Sequence, residues 1–323
     1  MNILFLGSTD LGWKCCQRVL EDGHLVSGII SIPETFRISW AEEPVTNVNY
    51  RNFEDLASGH DIPLMSVGNG MKGGDVFGFC QAAKPDLIVV AGWYYMIPLK
   101  IRNLARLGTV GIHASLLPKY RGGAPLIWAV INGDRQAGTT LFHLVDGMDE
   151  GNIVAQETFP ILEADDISNV LARAEEASLR AITNGLSAFR AGDSAGTQQQ
   201  HENATYVNQR KPEDGLIRWD RLDAENIYNW VRAQTRPYPG AFSYLNGDLI
   251  RIWRVSPCDR PSSEGWEAGD IVEGKVCCAD GRFVFLEQVQ IDDDGPEISG
   301  EDLQSRYPMI TSMDATLRET DKC

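Results

Sequence analysis

The chain has 323 residues, 43% apolar and 23% charged, with a formal net charge of −16. That length can bury a sizeable core and has room for two domains, while no apolar run approaches the length needed to cross a bilayer. The acidic balance argues against broad nucleic-acid binding, which needs a basic stripe: from residue 207 onward, 14 Lys and Arg stand against 22 Asp and Glu.

The first 160 residues read as alternating strands and helices. Residues 2–7 (NILFLG) form an apolar strand stopped by glycine. With no basic segment before it and Asp10 interrupting the apolar run, this start reads as a first strand and not as a signal peptide. Residues 24–31 (HLVSGIIS) are a second strand and 85–93 (PDLIVVAGW) a third; 107–115 (LGTVGIHAS) follows a helical stretch. Residues 139–145 and 151–161 alternate and suit a sheet edge. Continuous apolar strands with helices between them predict an α/β fold, a doubly wound, Rossmann-like parallel sheet. Ligands of such sheets bind at the carboxyl ends of the strands, where Trp93 and His113 fall.

Residues 165–191 carry apolar positions at helical spacing and form one amphipathic helix. The polar stretch 192–206 reads as a linker. A helix near 223–234 precedes a β-rich segment in which Asn246-Gly247, between two alternating runs, signals a hairpin. The expected organisation is a first domain over 1–191, a linker over 192–206, and a smaller β-rich, OB-like barrel over 207–323.

Gly7 and Gly12, between the first strand and the next helix, suit either a tight turn or a phosphate site on helix amides; the full dinucleotide-binding glycine spacing is missing, so nicotinamide is not supported. The seven cysteines show no CxxC or Cys/His ligand spacing, so no metal site is expected. Their odd count, with no secretion signal, suits reduced thiols in a cytoplasmic protein.

His113 ends an apolar strand and precedes Leu-Leu-Pro and a glycine-rich turn (HASLLPKYRGG). Asp149 lies 36 residues downstream on a short loop, VDGMDEGNI, between two strands expected to pair beside that of His113. Gly147 and Gly151 allow the tight backbone that aims a carboxylate inward. A histidine held by a carboxylate keeps one tautomer, which suits proton transfer near neutral pH.

HASLLPKYRGGAP (113–125) followed by DGMDEGNIV (146–154) resembles the N10-formyltetrahydrofolate-dependent formyltransferases. The resemblance extends over nearly the whole chain: residues 208–220 and 231–253 are similar to the C-terminal domain that the tRNA and sugar enzymes share. It implies N10-formyltetrahydrofolate as co-substrate, His113 as general base and Asp149 as its support. The family pairs that histidine with an Asn two positions earlier, whose side chain donates to the formyl oxygen; here the position is Gly111. Losing one such donor typically costs about 10²–10³ in rate, unless a backbone amide, a water or another side chain, with Asn132 a candidate, replaces it. By the same resemblance Trp93, Tyr95, Met96 and Ile97 read the pterin ring, with Asp146 nearby. Lys119, Tyr120 and Arg121 would meet the acceptor's phosphates.

The acidic C-terminal segment and the stretches RKPEDGLIRW and PYPGAFSYLNG favour the sugar-nucleotide enzymes, so the expected acceptor is a nucleotide-linked amino sugar of the 4-amino-4,6-dideoxyhexose type. In the insert after the second strand, Phe36, Trp40 and Tyr50 could stack on its base. The alternatives are a methionyl-tRNA formyltransferase, or a folate- or nucleotide-binding homologue with weak or no catalysis because of Gly111. Relatives often pair as homodimers, and the β-rich C-terminal part is a candidate surface for that.

Overall fold

A seven-stranded sheet organises the N-terminal part of the chain. Its strands are Asn2–Leu6 (β1), Leu25–Ser31 (β2), Leu64–Ser66 (β3), Leu87–Val90 (β4), Thr109–His113 (β5), Gln136–His143 (β6) and Ile153–Pro160 (β7). The spatial order is β7-β6-β5-β4-β1-β2-β3. Strands β1 to β5 pair in parallel, and β6 runs antiparallel against β5. The doubly wound parallel core is therefore the one expected, with reversal confined to the edge. The computed structural model describes residues 1–38, 43–258, 265–307 and 312–313, and the chain divides into two compact units.

Alternation within the central strands explains why they are largely apolar. Ile3, Phe5, Val89 and Val110 face one core with Ala181, Ile182 and Leu186 of the helix Ile167–Arg190. Leu4, Leu6, Ile88 and Val90 face another with Ile97 and Ile101. Both faces of the sheet are covered, so buried polar side chains are few, Ser31 and Thr109 among them, and each buried Ile or Leu contributes about 1.5–3 kcal/mol. Among the described residues, no helix is long and apolar enough to cross a membrane.

The strand order reverses between β1 and β4, and the chain closes tightly there. Ser8 donates from N (3.1 Å) and Oγ (3.0 Å) to the carbonyl of Gly92. Thr9 caps the helix Asp10–Glu21 by accepting from the amide of Gly12 at 3.1 Å. A Cβ at Gly12 would lie 2.5 Å from the carbonyl oxygen of Ala91, so this glycine is required for close approach of helix and strand. The segment after β2 is tied to the same place: Asn47 Nδ2 donates to the carbonyl of Ser8 (3.0 Å), and the amide of Asp10 to that of Asn49 (2.8 Å).

The first unit comprises 1–122, 137–159 and 173–206, the second 123–136, 160–172 and the described part of 207–323. Residues 192–206 thus fold within the first unit. The second unit holds a six-stranded sheet of Ala241–Leu245 (β8), Asp248–Cys258 (β9), Ile271–Val272 (β10), Lys275–Cys277 (β11), Phe283–Ile291 (β12) and Glu297–Ile298 (β13). Its order is β8-β9-β12-β11-β10, with β13 on β12, and the pairings reported for it are antiparallel. Asn246 and Gly247 both take positive φ in the two-residue turn that joins β8 to β9, as the hairpin signal predicts. Asp223 caps the helix Ala224–Gln234, whose Ile227 and Val231 pack into the unit's core with Trp219, Ile250 and Leu286. Asn132 is the C-cap of the helix Pro125–Ile131 in this second unit.

Candidate active site

His113 is the last residue of β5, paired with Thr140 of β6, and its side chain is 11% exposed. Nε2 lies 2.8 Å from the carbonyl oxygen of Tyr120. A carbonyl only accepts, so Nε2 carries the proton and the neutral ring keeps its lone pair on Nδ1. Nδ1 faces Asp149 Oδ2 at 3.7 Å, beyond a hydrogen bond but within reach of an ion pair once the ring is charged. Asp149 Oδ2 meanwhile accepts from the amide of Gly122 at 2.8 Å. The expected His–Asp pair is thus brought together, with one correction. The tautomer is set by the Tyr120 carbonyl rather than by the carboxylate, which leaves Nδ1 open on the side of Asp149.

The loops that hold these atoms are tightly wound. Tyr120 (φ 56°) and Asp149 (φ 53°) both sit in the left-handed region, which non-glycine residues keep only when their surroundings hold them there. Asp149 itself makes the turn that Gly147 and Gly151 were expected to provide. Gly151 serves by close packing, since a Cβ there would fall on the His143 carbonyl. Of the three residues assigned to acceptor phosphates, Lys119 is exposed and its carbonyl accepts from Ser115 Oγ at 2.7 Å. Tyr120 is half-buried; its carbonyl meets His113 and its amide donates to Thr205 Oγ1 at 2.8 Å. Arg121 departs from expectation. It is fully buried, its guanidinium engaged by Gln199, Tyr206, His201 and Glu150, so it braces the site from within.

Trp93 to Ile97 follow β4 at its carboxyl end. Among the described residues, the backbone N–H groups of Trp93 to Met96 make no hydrogen bond to protein, and Trp93 Nε1 is buried without a partner. An unpaired buried donor costs about 1–3 kcal/mol, a cost that falls here on the Trp93 indole N–H. Tyr95 places its hydroxyl between the carbonyls of Arg37 (3.0 Å) and Gly68 (2.9 Å), and Tyr94 donates to Asn47 Oδ1 at 3.0 Å. Burial pushes both hydroxyls up, so they stay protonated donors at neutral pH. The Met96 side chain is exposed, whereas that of Ile97 is in the core. Asp146 is exposed and pairs with Arg102, which also binds the carbonyls of Ile97 (3.2 Å) and Leu144 (3.1 Å).

At Gly111 the space above the strand is filled: a Cβ there would lie 2.9 Å from Leu144 Cδ2. In the insert, Phe36 is buried against Tyr94 and Tyr95, and Tyr50 bridges to Thr9. Phe36 is thus a packing residue, Tyr50 is half-buried and tied to Thr9 through its backbone, and Trp40 lies outside the described residues. The sequence reading missed Gln199, Tyr206 and Leu144. The first two sit in a polar stretch with no periodicity; burial marks Gln199, whereas Tyr206 is exposed and is marked only by its hydroxyl, which meets Arg121 Nη1 (2.8 Å) and Glu150 Oε1 (3.1 Å). No group of three or more His, Cys, Asp and Glu that could hold a metal ion occurs among the described residues.

A family model described as formyl transferase matches residues 71–186, and one described as formyl transferase, C-terminal domain, matches residues 210–307. Among solved structures, HypX from Aquifex aeolicus in complex with tetrahydrofolic acid is 19% identical with a TM-score of 0.60. That match covers 96% of this chain and 48% of HypX, so the chain spans about half the length of that relative. The N-formyltransferase from Helicobacter canadensis, in complex with folinic acid and dTDP-3-aminofucose, is 15% identical with a TM-score of 0.60, covering 88% and 98%. Methionyl-tRNA formyltransferase from Clostridium thermocellum is 18% identical with a TM-score of 0.50, covering 79% and 93%. At these identities the likeness is one of fold.

Proposed function

The chain belongs to the formyl transferase family, and on that premise we propose that it transfers a formyl group from N10-formyltetrahydrofolate to the amine of a nucleotide-linked amino sugar. The observation that carries the reading is the orientation of His113: Nε2 is committed to the Tyr120 carbonyl, and Nδ1 faces Asp149 across 3.7 Å. The acceptor amine attacks as the free base. As its new N–C bond forms and the bond from the formyl carbon to N10 breaks, His113 Nδ1 takes the proton the amine loses. Asp149 faces the resulting imidazolium, which then returns the proton to N10. A positioned base of this kind contributes about 10²–10⁴ in rate.

The residues present suit a pterin. The free amides of Trp93 to Met96 and the unpaired indole N–H of Trp93 supply the donors that a flat heterocycle with ring nitrogens and a carbonyl would accept. For the acceptor, the net charge of −16 opposes a polyanion such as tRNA, and the same fold holds dTDP-3-aminofucose in the Helicobacter canadensis enzyme.

The test is release of tetrahydrofolate from 10-formyltetrahydrofolate in the presence of 3-amino- and 4-amino-6-deoxyhexose nucleotides, with initiator methionyl-tRNA as a separate arm. Turnover with a nucleotide sugar is expected. Formylation of the tRNA alone would replace the acceptor. Folate binding without turnover in either arm would leave a binding protein, the outcome that Gly111 and the Leu144 side chain above it would explain.

A further inference from the structure

Gln199 lies in the polar stretch after the long helix, yet it is only 3% exposed. Its Nε2 donates to the carbonyl oxygens of Asp149 (2.8 Å) and Gly151 (2.7 Å). Its Oε1 accepts from Nε (3.2 Å) and Nη2 (2.7 Å) of Arg121. Two donors and two lone pairs are all an amide has, so every position is used and the orientation is unambiguous. Turned over, the group would set N–H against guanidinium N–H and an oxygen against two carbonyl oxygens.

Behind it, Arg121 is fully buried and held in turn. Nη1 donates to the Tyr206 hydroxyl at 2.8 Å, Nη2 lies 3.2 Å from His201 Nδ1, and Glu150 Oε1 stands 3.4 Å from Nη1. In front of it, Asp149 occupies the left-handed region, a conformation that persists where the surroundings over-determine it. Of the two carbonyls that Gln199 binds, one is that of Asp149 itself, the residue whose carboxylate faces His113, and the other lies two residues further on.

We propose that Gln199 is a positioning residue: braced by Arg121, it holds the left-handed turn at Asp149, so that Oδ2 keeps the Gly122 amide and faces His113 Nδ1. The kinetic consequence rests on the formyl-transfer reading; the structural one does not, and the experiment reads them separately. Gln199→Glu is nearly isosteric and still pairs with Arg121, but it sets an oxygen against the two carbonyls.

In protein labelled with ¹⁵N-glycine, the Gly122 amide proton is expected to move upfield and to exchange faster with solvent both in this variant and in Asp149→Asn. With an active wild type, kcat falls by about 100-fold, the size of effect that a small misplacement of a reacting group produces, while KM for both substrates stays within about threefold. In the Asp149→Asn background the same substitution costs nothing further, because the two act as one unit. An unchanged Gly122 amide overturns the proposal whatever the activity, and so does a shifted amide with kcat unaltered in an active enzyme. A wild type inactive with every acceptor overturns the formyl-transfer reading and leaves the amide to decide the positioning. If Gln199→Glu does not fold, Arg121→Lys, which keeps the charge and loses the fork onto Oε1, carries the same readouts.

Discussion

The ring of His113 donates from Nε2 to the carbonyl of Tyr120 across 2.8 Å, which makes Nδ1 the one atom of the neutral ring able to accept a proton. His113→Ala is therefore expected to lower kcat by about 10²–10⁴, the usual worth of a positioned general base. Folate binding should change little, because the groups proposed to hold the pterin lie on Trp93 to Met96. The lost hydrogen bond costs about 0.5–1.5 kcal/mol of stability, small enough for the fold to survive. Tetrahydrofolate release and a fluorescence titration with folate check the two halves. A kcat within tenfold of wild type would mean that another base acts.

Gly111 stands where the family resemblance expects an asparagine, and the structure shows what lies over it. In the register Gly111↔Phe142, the chain after β6 brings Leu144 over the strand, with Cδ2 only 2.9 Å from a Cβ at position 111. Gly111→Asn alone should then destabilise by about 1–3 kcal/mol through overpacking. Adding Leu144→Ala opens the space, and the double variant should exceed the kcat of Leu144→Ala, approaching the 10²–10³ that such a donor supplies. Urea denaturation and single-turnover rates measure both. If the double variant is no faster than Leu144→Ala, the formyl oxygen is already served from elsewhere, and the unpaired indole N–H of Trp93 is the first group to substitute.

Much of this arrangement can be read from local sequence. An apolar run with both faces covered gives the central strands, the ends of two of those runs place Trp93 and His113 at the carboxyl ends of neighbouring strands, and Asn246-Gly247 marks its own hairpin. What could not be read depends on partners distant in the chain. KYRGG looks like a basic surface turn because nothing near Arg121 shows the amide, 78 positions away, that receives its guanidinium. Gln199 is hidden by a polar stretch without periodicity. The edge strand Leu64–Ser66 is too short and too exposed to stand out from its loop. Nor does sequence reveal that Asp149 makes the left-handed turn itself, since the glycines around it look like the natural place for one.

His24 gives the fold a pH dependence unrelated to the site. It precedes β2 and is only 6% exposed, and its Nδ1 has no hydrogen-bond partner. Burial drives its titration down from the usual 6.5 to about 4, with the positive charge of Arg190 adding to the effect. The folded chain therefore keeps this ring neutral where the unfolded chain protonates it. Between those two values the unfolded state binds the extra proton, so stability is full above about pH 6.5 and falls as pH drops toward 4. The slope from one group is at most about 1.4 kcal/mol per pH unit. His24→Gln removes this contribution while leaving the carboxylates, which titrate in both proteins. Urea midpoints at pH 7.5 and pH 5 should therefore separate further for wild type than for the variant; equal separations would show that His24 takes up its proton in the folded state as readily as in the unfolded chain.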